Sequence, residues 1–178
     1  MGANTCDDVF GWADRDPSRA MFAVQADGTW QPVTAAQFAG RVGVVAAGLV
    51  VTGISPGDRV GLMAATSFDW VVCDFAIWAA GAVTVPIYET SSAEQIGWEL
   101  NDSGAVAVFA GNAQLADAIR RAQPAKVEAI WQLDAGGLHA RSPVPPGGTG
   151  VLGVVTWVRA SGTACGRRGS IVIVWGIE

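Results

Sequence analysis

The feature that most constrains the fold is a regular alternation, from Arg59 to Leu133, of short apolar runs with stretches of helical character. The four apolar runs have the length and composition of strands and cover residues 59–65, 83–87, 105–110 and 127–133. Each intervening stretch is long enough for one helix and opens with a residue type that caps helices: Ser67, Ser92 and Asn112. Parallel strands need crossover helices of this kind, so the sequence predicts a β-α-β-α-β-α-β parallel sheet covered by helices.

A β-hairpin and one more helix are predicted ahead of this sheet. Asp27-Gly28 joins two strand-like runs, residues 22–26 and 29–33, and such a dipeptide is a strong hairpin signal. Thr34-Ala-Ala-Gln37 is a capping box, in which the Thr hydroxyl and the Gln amide each satisfy a free donor at the helix start. Apolar residues then recur at spacings of three and four up to Leu49, as on one face of a helix. The fold class is therefore α/β.

The chain changes character after Asp134. No acidic residue occurs between it and Glu178, whereas four arginines and several Pro and Gly residues do. Neither a capping box nor a helical stripe is found there. The sequence thus predicts two segments: residues 1–134 as a partial α/β domain, and residues 135–178 as an irregular, poorly ordered tail with room for one or two strands.

Composition excludes several function classes. Hydrophobic residues make up 51% of the chain and charged residues 15%, which argues against global disorder. With 11 basic and 16 acidic residues the net charge is −5, so a nucleic-acid partner is not expected. The one histidine, His139, and three scattered cysteines provide neither a catalytic triad nor a metal site.

The sequence predicts a cytoplasmic protein. Its first residues lack the basic and apolar regions of a signal peptide. Two apolar stretches, residues 42–54 and 71–88, are candidates for membrane segments. The first is too short to cross a bilayer and the second contains Asp74 and Pro86, so both are interpreted as core elements. Peripheral membrane contact is the alternative.

Two glycine-containing motifs are candidates for phosphate binding. Gly148-Thr-Gly150-Val-Leu-Gly153 matches a dinucleotide-binding pattern, but no strand precedes it and no helix follows, so we interpret it as coincidence. The second motif is Ser161-Gly162-Thr163 followed by Arg168-Gly169, in which backbone N–H groups, hydroxyls and a cation are available for phosphate oxygens. A polar turn between two strand-like runs is the simpler interpretation of this motif.

Several ordered blocks resemble acyl-adenylate-forming enzymes of the AMP-binding family. They include Pro32-Val-Thr-Ala-Ala-Gln37, Gly57-Asp-Arg-Val-Gly-Leu62 and Val85-Pro-Ile-Tyr-Glu-Thr-Ser-Ser-Ala-Glu-Gln-Ile96. The last block is most similar to the long-chain fatty-acid–CoA ligase branch. The resemblance covers about residues 10–134 and implies the N-terminal domain of such a ligase. It implies ATP, Mg²⁺ and coenzyme A as cofactors and a fatty acid as substrate, with an acyl-adenylate formed first and acyl-CoA second.

The resemblance weakens where the phosphate loop of the family is expected. Ser161, Gly162, Thr163 and Gly169 fall at matching positions and Arg168 stands where the family has lysine, but the residues between Thr163 and Arg168 differ. No counterpart of the later nucleotide-binding motifs or of the catalytic lysine follows. No catalytic residue and no metal ligand is therefore assigned.

These observations lead to one main hypothesis and two rivals. The main hypothesis is a truncated fatty-acid–CoA ligase, inactive on its own, in which a shifted reading frame replaces the family sequence after about residue 134. The first rival is a non-enzymatic interaction module that pairs with a partner carrying the missing ligase portion, or with itself. The second, an independent nucleotide-binding domain, lacks the glycine loop between strand and helix that it would need.

Overall fold

The computed structural model describes residues 5–133, 151–159 and 168–174. The elements run in the order α1 (Thr5–Arg15), β1 (Ala20–Ala26), β2 (Thr29–Thr34), α2 (Ala35–Val51), β3 (Arg59–Met63), α3 (Phe68–Ala79), β4 (Val83–Ile87), α4 (Ala93–Ser103), β5 (Ala107–Ala110), α5 (Ala113–Ala122), β6 (Ala129–Gln132), β7 (Val151–Arg159) and β8 (Arg168–Val174).

The predicted α/β fold is confirmed. β3, β4, β5 and β6 are parallel and lie in the order β4-β3-β5-β6, with Gly61 of β3 opposite both Val85 of β4 and Val108 of β5. The hairpin of β1 and β2 forms a separate antiparallel pair that turns at Asp27 and Gly28, both of which have positive φ.

Helices α2, α3, α4 and α5 begin at the predicted capping residues. Thr34 and Gln37 form the expected capping box: the Gln37 N–H donates to Thr34 Oγ1 at 3.3 Å, and the Thr34 N–H donates to Gln37 Oε1 at 2.9 Å. Ser92 and Gln95 repeat this arrangement at α4. These local hydrogen bonds satisfy donors that a helix start otherwise leaves free, and so they fix where each helix begins.

Helices cover both faces of the parallel sheet. On one face α3 packs against α2, and α2 packs against α1, around a core that includes Phe38, Leu62 and Ile77. On the other face α4 and α5 pack together over Ile96, Leu100 and Ile119. With helices on both faces the strands are buried from two sides, which explains their continuous apolar sequences.

Aromatic rings join the hairpin to the first helical layer. Phe22 of β1 lies 4.7 Å from Phe38 of α2 between ring centroids, and Phe38 lies 5.5 Å from Phe75 of α3. Phe68 contacts both Phe22 and Phe38. Tilted and edge-on pairs at these distances are favourable, so the hairpin is held on the domain by side-chain packing.

The described residues of the predicted tail form two strands. β7 pairs antiparallel with β6 through Val158 opposite Ile130, and β8 pairs antiparallel with β7, so the two strands extend the sheet. The prediction left room for one or two strands in this segment. The remainder of the predicted tail, residues 135–150, 160–167 and 175–178, lies outside the described residues.

Candidate functional site

The strand order creates a crevice at one end of the sheet. From β3 the chain passes to β4 on one side, and it then crosses over to β5 on the other side of β3. At such a switch point the two connecting helices leave the carboxyl ends of neighbouring strands in opposite directions, and open α/β sheets bind ligands in the gap between them. The carboxyl ends of β3 and β5 are therefore where a site is expected.

A cleft of about 230 Å³ occupies this position. Ala64 and Ala65 follow β3 and line one wall, and Gly111 follows β5 and lines the other. The remaining lining residues are Ser67, Asp69, Asn112, Leu115 and Leu133. Ala64, Ala65 and Leu133 fall within the predicted strand runs, but the observed strands end before them, and this early ending frees them to line the cleft.

Two helices begin at the rim of the cleft. Ser67 caps α3 by accepting a hydrogen bond from the Trp70 N–H at 3.1 Å, and Asn112 caps α5 by accepting one from the Leu115 N–H at 2.9 Å. The positive ends of both helix dipoles thus face the cleft. The capping oxygens already serve the helix donors, so the hydrogen-bonding capacity they offer a ligand is reduced.

The floor of the cleft is closed by a tight backbone approach. The Gly111 N–H donates to the Met63 carbonyl oxygen at 2.9 Å. A Cβ atom placed on Gly111 would lie 2.9 Å from Ala64 Cβ, closer than real Cβ atoms come, and 3.1 Å from the backbone Cα of Ala64. Residue 111 must therefore be glycine for β3 and β5 to meet in this way.

The described lining of the cleft carries no positive charge. Among the residues that the structure describes, it contains one carboxylate, Asp69, and no cationic side chain. Within the ranges that the structure describes, no three His, Cys, Asp or Glu side chains cluster as metal ligands. The cleft can shelter a small, largely apolar group, but the described residues supply neither cations nor metal ligands for phosphate chemistry.

The predicted phosphate-loop residues are only partly described. Arg168 and Gly169 are the first residues of β8 and lie opposite Val158 and Trp157 of β7. Ser161, Gly162 and Thr163 lie outside the described residues, as does His139. None of the described cleft residues was predicted as a site residue, because the cleft depends on strand order and contains few side chains with distinctive chemistry.

Cys73 is a core residue, as the sequence analysis expects. Its side chain is fully buried on α3. Burial raises the pKa of the Cys73 thiol far above its ordinary value, and the carboxylates of Asp69 and Asp74 raise the pKa further. A thiol that keeps its proton is a poor nucleophile, so this cysteine is not a catalytic candidate.

Of the helices that the structure describes, none has the length and hydrophobicity required to cross a bilayer.

Comparison with known proteins then decides the family. A family model described as "AMP-binding enzyme" matches residues 9–149, which is most of the chain.

The chain belongs to the AMP-binding enzyme family.

Relatives within this family include fatty-acid ligases. The chain is 49% identical over 102 residues to the long-chain-fatty-acid–CoA ligase FadD15 of Mycobacterium bovis, a match covering 57% of this chain and 17% of FadD15. It is 34% identical over 76 residues to the long-chain-fatty-acid–AMP ligase FadD32 of Mycolicibacterium smegmatis, covering 43% of this chain and 12% of FadD32. The chain thus spans well under a quarter of the length of these relatives.

Solved structures of the AMP-binding family share the fold. The N-terminal domain of FACL13 from Mycobacterium tuberculosis, solved with an inhibitor, superposes with a TM-score of 0.65 at 25% identity and covers 97% of this chain and 44% of its own. The long-chain-fatty-acid–CoA ligase FadD1 from Archaeoglobus fulgidus gives a TM-score of 0.64 at 19% identity, covering 72% of this chain and 27% of its own. The predicted resemblance to the N-terminal domain of this family is therefore confirmed.

Proposed function

We propose that this chain provides part of the N-terminal domain of a long-chain fatty-acid–CoA ligase, and that it forms no acyl-adenylate by itself. The observation that carries the proposal is the 49% identity to FadD15 over 102 residues. The reaction of the complete enzyme would join a fatty acid to AMP at the expense of ATP and then transfer the acyl group to coenzyme A. We place this chemistry in the cytoplasm.

The chemistry of the described cleft supports the proposal that the chain alone is inactive. A triphosphate needs cations and N–H donors arranged in advance around its oxygens. The cleft lining offers a carboxylate and two hydrogen-bonding side chains that already cap helices. We infer that the described cleft is one part of a larger active site and that residues outside its described lining supply the phosphate contacts.

One segment has a residue order similar to that of the family's phosphate loop. It consists of Ser161, Gly162, Thr163, Arg168 and Gly169. Two observations support this assignment: the residue order resembles that of the family loop, and the antiparallel strands β7 and β8 bracket residues 160–167. We infer that an arginine in place of lysine, with the altered residues between Thr163 and Arg168, leaves this loop unable to promote adenylation.

Exchange of radiolabelled pyrophosphate into ATP tests the proposal. The purified chain with palmitate, ATP and Mg²⁺ should give no exchange above buffer. The variants Arg168→Ala and Arg121→Ala, the second being a matched arginine on the exposed side of α5, should be equally inactive. Exchange by the wild-type chain that Arg168→Ala abolishes and Arg121→Ala retains would show an active phosphate loop and overturn the inactivity.

A further inference from the structure

The sheets that the structure describes have outer strands at which further strand pairing is open or blocked. These strands are β4 and β8 in the larger sheet and β1 and β2 in the hairpin. An outer strand presents a row of backbone N–H and C=O groups without a ladder partner, and another strand can pair with them. Proteins block such edges with proline, with a bulge or with charged side chains. The distribution of these features therefore shows where another strand would pair.

The β4 edge is blocked by proline. The Val83 N–H donates to the Asp58 carbonyl oxygen at 2.7 Å, so the backbone groups of Val83 face β3. Backbone direction alternates along a strand, so the backbone groups of Thr84 and Pro86 face the open side. Pro86 has no N–H to donate, and a regular ladder with another strand is therefore interrupted there.

Both edges of the hairpin are interrupted as well. β2 contains Pro32, which has no N–H to donate. On β1 the ladder with β2 shifts between Ala20 and Phe22, and the extra residue lies on β1. A bulge of this kind bends and twists its strand, which discourages regular pairing with a further strand.

The β8 edge is uninterrupted. β8 contains no proline, and its one charged residue, Arg168, is at its first position. The ladder with β7 shifts between Val151 and Val154, so the extra residue lies on β7 and β8 itself is regular. Residues 171–174 are Ile-Val-Ile-Val, and β-branched residues of this kind favour strands. Among the described residues, no strand pairs with the outer side of β8.

We propose that two copies of this chain pair through β8 in an antiparallel ladder with two-fold symmetry. The occupant of the edge is a strand, because backbone N–H and C=O groups are what the edge offers. Pairing of β8 with β4 of a second copy would build an open-ended fibre, and Pro86 opposes it. Pairing of β8 with β8 uses the one uninterrupted edge described in each copy, and it closes at two chains. This association lies beyond the proposed ligase reaction and does not depend on it.

The sequence of β8 is self-complementary in this arrangement. Full overlap of two antiparallel copies places Ile171 opposite its counterpart in the second copy, at the centre of the ladder. Directly opposed β-branched residues stabilise a strand pair. Arg168 is then opposite Val174 of the second copy, so the two Arg168 positions are at opposite ends of the ladder, about 20 Å apart. That separation exceeds the Debye length at physiological salt, so repulsion between the two arginines is screened.

The mass of the purified 178-residue chain in solution is the first test. Size-exclusion chromatography with multi-angle light scattering is run over a dilution series, with a reducing agent to exclude disulfide-linked dimers. The mass should be that of two chains at the highest concentration and should fall toward that of one chain on dilution. A single-chain mass at every concentration would overturn the proposal, and so would assemblies larger than two chains.

A pair of oppositely charged variants tests the register. Ile171→Lys and Ile171→Glu each place two like charges directly opposite one another in the dimer, which destabilises a strand pair. Each variant alone should dimerise about tenfold or more weakly than the wild type. An equimolar mixture of the two variants places lysine opposite glutamate and should recover most of the lost affinity. A mixture that dimerises no better than the separate variants would overturn the two-fold register.

Matched controls place the same charge on the other edges. Val83 is 50% exposed on β4, and Ala23 is exposed on β1. Val83→Lys and Ala23→Lys should leave the dimer affinity unchanged, because neither strand takes part in the proposed ladder. A loss in either control equal to that in Ile171→Lys would assign the association to another edge and would overturn the proposal.

Discussion

The Arg59 guanidinium joins two distant parts of the domain by donating from Nε to the Ser103 carbonyl oxygen at 2.8 Å. Arg59 opens β3, whereas Ser103 is the last residue of α4, 44 positions later in the chain. A second donor of the guanidinium reaches the Gly57 carbonyl oxygen at 3.1 Å. A cation at a helix C-terminus interacts favourably with the helix dipole. This contact therefore fixes the C-terminal end of α4 beside the amino end of β3.

Replacing Gly104 should disturb this contact. Gly104 ends α4 with φ of +67°, and a Cβ atom there would lie 2.9 Å from Arg59 Nη2. Gly104→Ala should therefore lower the free energy of unfolding by about 1–3 kcal/mol, from backbone strain together with displacement of the guanidinium. Urea denaturation measures the loss.

Gly28→Ala separates the two causes. Gly28 also has positive φ, +75°, but a Cβ atom there would meet nothing within 4 Å. Gly28→Ala should lower the free energy of unfolding by clearly less than Gly104→Ala does. Equal losses would mean that the approach to Arg59 contributes nothing.

Gly111 should be equally intolerant of a side chain at the cleft. Gly111→Ala would force Ala64 away, and it should destabilise the domain by about 1–3 kcal/mol, as overpacking of a close contact does. Gly40→Ala, at an exposed position of α2, is the control, with open space at the Cβ position. It should stabilise the domain by about 1 kcal/mol through helix propensity. A neutral Gly111→Ala would contradict the tight floor of the cleft.

Cys73 should make stability decline at alkaline pH. Its pKa is raised in the folded state, so its contribution is fully present below the ordinary thiol pKa of about 8.5 and is lost as pH rises above it. Above that pH the unfolded chain binds fewer protons than the folded chain, because its thiol has ionised. The Cys73 thiol should therefore lower the free energy of unfolding by about 1 kcal/mol per pH unit.

Denaturation at pH 7 and pH 10 measures this slope, with Cys6 and Cys165 replaced by serine in every sample. Cys73→Ala lowers stability at both pH values through its cavity but should remove the part of the slope due to the thiol. An identical slope in wild type and variant would contradict the account. Native Cys73 should also resist iodoacetamide and react once the chain is unfolded.

Local signals predicted most of the elements of this fold. Ser67, Ser92 and Asn112 mark helix starts by hydrogen bonds to residues three positions later, a relationship that sequence shows directly. Helix α1 was not predicted, because four of its eleven residues are charged; among its side chains whose burial is described, Val9 is buried. Its helical conformation depends on packing against α2.

The cleft was not predictable from the same signals. Its position follows from the crossover that places β5 beside β3 rather than beside β4, and strand order depends on contacts between distant residues. Ala64, Ala65 and Gly111 also have no chemistry that distinguishes them in sequence. Their role becomes visible only once the carboxyl ends of β3 and β5 are seen to meet.

A chimeric enzyme tests the central claim most directly. The segment of Mycobacterium bovis FadD15 that matches this chain is replaced by the corresponding residues of this chain, and acyl-CoA formation from palmitate is measured beside intact FadD15. A chimera with Leu62→Asp, which places a carboxylate in the core, controls for misfolding. We predict that the chimera unfolds cooperatively and retains activity within about tenfold of FadD15. A chimera that folds with the same cooperativity but forms no acyl-CoA would contradict the assignment of this chain as part of a fatty-acid–CoA ligase.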